Sequence, residues 1–148
     1  MQTHYNVDVA RPTSFRLPED LLERLDEEAS LSGTSSTTLV ASLLDEGLKT
    51  RRFPGIVYRD GPTGRRAALV GGPDVWEVIR ALKQTPGKDE RRVKTLADDL
   101  GLSPARIRLA IDFYGAHPGE VDDRIAADDL AAEQLRERVD RRERLLSS

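Results

Sequence analysis

The side chains with the most chemical promise in this sequence are hydrogen-bond donors and cations rather than nucleophiles. Ser14 and Arg16 alternate with Phe15 and Leu17, so a strand here has one polar and one apolar face. Ser35, Ser36 and Thr37 open an apolar-periodic run, and an anion is physically expected at the amide end of a helix. Arg65 and Arg66 sit near the tip of a Gly-containing turn, and Arg106 and Arg108 lie away from the apolar residues of their segment. Either pair could meet phosphates or bases. Catalysis finds less support. His4 and His117 are far apart, and His117 with Glu120 makes only two candidate ligands, too few for a metal site. His117 precedes Pro118 and reads as a residue that opens a helix. Gly61-Pro62-Thr63-Gly64-Arg65-Arg66 lacks the Gly-Lys-Ser/Thr ending of a phosphate loop. The carboxylates fall on charged helical faces, where solvation accounts for them. No catalytic residue, metal site or cofactor is expected, and no internal repeat is visible.

The elements that must position Arg16 are short. Pro12 and Pro18 bracket a strand at 13 to 17, and Pro18 also suits the first turn of a following helix. Glu19 and Asp20 are placed at the positive end of that helix dipole. Leu21, Leu22, Leu25 and Ala29 recur at helical spacing, and Gly33 stops the run. Ser35 is the expected N-cap of a second helix, whose apolar face is Leu39, Val40, Leu43, Leu44 and Leu48. One strand cannot pair with itself, and its backbone groups need a partner. The simplest partner is the same strand of a second copy, which gives a two-stranded ribbon that fits the major groove of DNA.

Residues 11 to 50, in this order of parts, resemble the ribbon-helix-helix repressors of the Arc and MetJ type. The resemblance implies an intertwined homodimer. It implies that Pro12, Ser14 and Arg16 face DNA while Phe15 and Leu17 enter the core. It also implies that the amide end at Ser35, Ser36 and Thr37 clamps a phosphate. The charge of this segment runs the other way, because residues 1 to 50 hold four Lys and Arg against nine acids. Phosphate neutralisation supplies much of DNA affinity, so charge from elsewhere is needed. Residues 51 to 119 are the electropositive part, with thirteen basic residues against eight acids, and residues 120 to 148 hold six against nine.

Arg51 to Gly55 break the second helix. Residues 56 to 59 and 65 to 70 read as a hairpin around the turn Asp60 to Gly64. Gly71-Gly72-Pro73-Asp74 opens a helix lined by Val75, Val78, Ile79 and Leu82, with Trp76 beside them. Val93, Leu96, Ala97 and Leu100 form the face of the next helix. Gly101-Leu102-Ser103-Pro104 supplies a C-cap, an N-cap and a first-turn proline, and Ile107, Ala110, Ile111 and Tyr114 follow. This is a helix-turn-helix pattern. Residues 53 to about 125 resemble a bacterial antitoxin-like domain related to domain of unknown function 433. That likeness is carried by Phe53 to Arg59, Gly64 to Ala67, Asp74-Val75-Trp76 and Leu102 to Ala105, and it implies a PIN-like ribonuclease toxin as partner. From Pro118 a long helix is expected, with an irregular stripe of Ile125, Leu130, Leu135 and Val139 that gains little by packing on its own domain.

The expected fold is therefore mainly α with short β. A ribbon-helix-helix domain at 1–52 is followed by a hairpin and helix-turn-helix-like domain at 53–118 and a helical tail at 119–148. The chain has 148 residues, no cysteine and no apolar run long enough to span a membrane, and its N-terminus lacks the basic and apolar regions of a signal peptide. These features fit a cytoplasmic protein. The leading expectation is a DNA-binding repressor that binds its own operator and a ribonuclease toxin. The alternatives are a stand-alone transcription regulator and a dimeric interaction protein that does not bind DNA.

Overall fold

A computed structural model of the protein describes residues 10 to 148. His4 and the N-terminal residues read above against a signal peptide lie outside the described residues. The fold is mainly helical with one small antiparallel sheet. In chain order the elements are α1 (Glu19–Leu31), α2 (Ser36–Arg52), β1 (Ile56–Arg59), β2 (Arg66–Leu69), α3 (Val75–Gln84), α4 (Asp89–Leu100), α5 (Pro104–Ala116) and α6 (Pro118–Ser147). The chain divides into two compact units, Met1–Asp45 and Glu46–Ser148, and the division falls within α2.

In the first unit α1 follows Pro18, whose carbonyl accepts the Leu22 N–H at 3.1 Å. Glu19 and Asp20 occupy its first turn. Gly33 takes a left-handed φ of +66°, and Thr34 N–H closes on the Ala29 carbonyl at 3.0 Å. The turn needs that conformation, which glycine adopts without a Cβ penalty. Ser35 then caps α2 by accepting the Thr38 N–H on its hydroxyl at 3.1 Å.

The second unit holds the core. β1 and β2 pair from Ile56↔Leu69 to Arg59↔Arg66, closed by reciprocal hydrogen bonds between Gly61 and Gly64. Val75, Val78 and Ile79 of α3, Val93, Leu96 and Ala97 of α4, and Ile107, Ala110 and Phe113 of α5 pack with Leu69. Gly101 caps α4 at φ 65°, and the Ser103 hydroxyl accepts the Arg106 N–H above Pro104, as their spacing suggested. Phe113 is fully buried and meets Phe53 edge-on, with ring centroids 5.4 Å apart. His117 packs against both rings and forms the junction between α5 and α6.

The first turns of α6 differ from the expected loose tail. Val121 is buried, and Ile125 packs on the core. Glu120 accepts the Tyr58 hydroxyl at 2.6 Å and Lys49 at 2.9 Å. Arg80 reaches Asp128 at 2.6 Å and Asp129 at 2.5 Å. The cause is polar as much as apolar. Acids on α6 meet cations on α2 and α3, a pairing that hydrophobic periodicity does not report. Beyond Asp129 the helix extends with Leu130, Leu135 and Val139 exposed.

Candidate nucleic-acid interface

Residues 10 to 18 lie outside any helix or strand of the single chain, and Pro12, Ser14 and Arg16 are all exposed. Arg16 has no ion pair among the described residues. It borders an apolar groove of about 370 Å³ walled by Phe15, Leu17, Leu21, Val40 and Leu43. Phe15 is 75 % exposed and Leu31 80 %, and Leu21, Leu22, Leu43 and Leu44 are exposed as well. Ala29 is the one buried hydrophobic residue of α1, and α2 has none. The alternation of Phe15 and Leu17 with Ser14 and Arg16 thus sets an uncovered apolar edge beside a polar one.

At the start of α2 the hydroxyls are already engaged. Ser35 caps Thr38, and Ser36 donates to Asp26 on α1 at 2.6 Å. An anion at Ser35, Ser36 and Thr37 would be held by the backbone. The Ser36 and Thr37 amides are the first-turn donors, which have no partner inside a helix. The Asp26 carboxylate beside them opposes an anion there.

In the second unit the expected secondary contacts are committed to neighbours. Arg65 holds Glu46 at 2.5 and 3.0 Å and Asp60 at 3.0 Å. The Glu46 hydrogen bond pushes its guanidinium further toward the charged form. Arg66 donates to Asp74, Arg106 to the Val70 carbonyl and Arg108 to Glu90. Each would have to leave a partner to bind a phosphate.

Asp74, a helix opener by sequence, does more in the fold. It is 4 % exposed, and it caps α3 in a reciprocal box with Glu77. It also accepts from Arg59 at 2.6 Å, from Arg66, and from the Trp76 indole at 3.2 Å. Burial opposes its ionisation, but the Arg59 and Arg66 hydrogen bonds outweigh that and hold its carboxyl below the ordinary aspartate range. Asp three residues before Glu ahead of an apolar run is a legible capping signal. Its arginine partners are brought to it by the hairpin register, which the sequence does not print.

No family model, curated protein or solved structure matches the chain.

The chemistry available among the described residues is recognition. No cluster of three or more His, Cys, Asp or Glu side chains there could hold a metal. No described helix is long and apolar enough to cross a membrane. The first unit offers an exposed arginine on a segment with no strand partner, beside an apolar groove. The second offers a packed core whose cations are mostly paired.

Proposed function

We propose that this protein is a homodimeric, sequence-specific DNA-binding repressor of ribbon-helix-helix type, which represses its own operon and binds a PIN-like ribonuclease toxin as its antitoxin. The observation that carries the reading is the uncovered apolar edge of the first unit. A unit of about 45 residues with Ala29 as its buried hydrophobic residue in α1 and α2 needs another surface to complete a core. A second copy supplies it. Residues 13 to 17 of the two copies pair, Phe15 and Leu17 turn inward, and Ser14 and Arg16 turn out to the groove. Arg16 then reads a base edge through its forked donors, and the Ser36 and Thr37 amides fix the register on phosphates.

Footprinting of the purified full chain on the DNA upstream of its own gene tests this. Wild type should protect a discrete site. Arg16→Ala should lose about 1–3 kcal/mol of operator affinity while keeping helicity and dimerisation. Equal protection by both proteins removes Arg16 as the reader.

One observation favours a second reading. The described part of the first unit holds Arg11, Arg16 and Arg24 against seven acids, which repel a phosphate backbone. A dimerisation module that does not touch DNA has this composition, and it would leave no footprint at any salt concentration.

A further inference from the structure

The cations between residues 53 and 130 fall into two groups. Arg59, Arg65, Arg66, Arg80, Lys83 and Arg108 are each held by a carboxylate, and Arg106 and Arg124 donate to backbone carbonyl oxygens. Lys88, Arg91, Arg92 and Lys94 have neither an ion pair nor a side-chain hydrogen bond among the described residues. All four fall in one stretch at the start of α4. Lys88, Arg91 and Lys94 are exposed and follow at three-residue steps, Lys88 from the N-cap and Arg91 and Lys94 a rise of about 4.5 Å apart on the helix. Glu90 stands four residues before Lys94 and would be its natural partner on a helix, but it is engaged by Arg108 of α5. Asp98 and Asp99 lie at the far end of α4. Asp89, in the first turn of α4, is the acid of this stretch that no described cation holds, so the row of four cations keeps a net positive charge where the other cations of the region are engaged.

The row exposes no large apolar side chain, since Val93, Leu96 and Ala97 turn into the core. A protein partner usually anchors through buried aromatic or aliphatic residues, and the row itself offers none, the exposed Leu100 standing at the far end of α4. A polyanion needs only the charges. The frame also fits one. α4 is joined to α5 by the short turn at Gly101, and in helix-turn-helix pairs that bind DNA the first helix crosses the phosphate backbone.

We propose that Lys88, Arg91 and Lys94 form a docking row for the phosphate backbone of duplex DNA, supplying sequence-independent affinity that the acidic first unit lacks. The proposal rests on the DNA-binding reading only for the identity of the polyanion. It moves the basic contact away from Arg65, Arg66, Arg106 and Arg108.

The test is a salt series on the full chain with a mixed-sequence DNA duplex, read by fluorescence anisotropy. The Lys88→Gln, Arg91→Gln, Lys94→Gln triple variant should make the slope of log K against log salt shallower by about 2.7, the value for three lost phosphate contacts. Its thermal midpoint should not move, because all three side chains are exposed. Arg138→Gln, Arg141→Gln, Arg142→Gln removes the same charge from distal α6 and should keep the wild-type slope, as should the charge-keeping Arg91→Lys. An unchanged slope in the α4 triple variant overturns the proposal, as does an equal loss in both triple variants. A wild type that ignores DNA but binds polyglutamate through α4 also overturns it, and makes the partner an acidic protein. Failure of the Arg16 reading has a different signature. Arg16→Ala would then discriminate operator from mixed-sequence DNA as wild type does, with the α4 slope effect still present.

Discussion

Asp74 accepts hydrogen bonds from Arg59, Arg66 and the Trp76 indole while capping α3, so one carboxylate ties the hairpin to the helix that follows. Asp74→Asn would leave two guanidinium groups facing a neutral amide. Because those arginines are 40 % and 24 % exposed, the cost sits at the low end for a broken buried pair, about 3 kcal/mol. The pH dependence has a definite sign. The native carboxyl titrates below its unfolded value, so its contribution is complete above the ordinary aspartate range and drains as pH falls through the native value. Thermal melts of wild type and Asp74→Asn should differ most at neutral pH and converge in strong acid. A gap that stayed constant down to strong acid would remove the charge from the explanation. Phe113 is a second such residue. Phe113→Ala should cost about 3–5 kcal/mol, seen as an earlier denaturant midpoint, because the ring is fully buried against Phe53 and His117.

At the scale of elements, α6 has two parts with different roles. Val121 and Ile125 belong to the core, and Glu120, Asp128 and Asp129 hold cations of α2 and α3. Truncation after Gly119 would therefore unfold the second unit, whereas truncation after Asp129 should leave its melting temperature and DNA binding intact. On the proposed reading the distal stripe of Leu130, Leu135 and Val139 is the contact for a toxin. The shorter chain should fail to co-purify with a PIN-like ribonuclease expressed from an adjoining gene, while full-length protein retains it. Equal recovery by both would place the toxin contact elsewhere. Much of this level was legible in the sequence. Gly33, Gly101, Ser103 and Pro104 mark helix ends through backbone geometry, and Val75, Val78 and Ile79 mark a buried face through spacing. What escaped was set by tertiary contact. Phe113 lay one position off the face drawn through Ile107, Ala110, Ile111 and Tyr114. The partners of Asp74 and Glu120 come from elements distant in sequence. The residues chosen as cationic contacts were exposed by pattern, but the fold gives Arg65, Arg66 and Arg108 acids of their own. Lys88, Arg91 and Lys94 stand among acids in sequence, and only the fold shows Glu90 turned to Arg108.

For the whole molecule, the charge is divided, and so is the burial. The second unit has its core within one chain. The first has most leucines of α1 and α2 exposed and a segment at 13 to 17 that no strand among the described residues accompanies. Apolar surface of this kind is worth about 25 cal/mol per Å² once covered, and the account covers it with a second copy. In the proposed function dimerisation is the condition for the ribbon, and the ribbon is the condition for Arg16 to read DNA. Light scattering on the full chain at micromolar concentration tests that condition most directly. The wild-type protein should have a mass of two chains of 16.5 kDa each, shifting to one chain when Phe15→Asp and Leu43→Asp are introduced into the exposed apolar edge. A folded, single-chain species for the wild-type protein would contradict it.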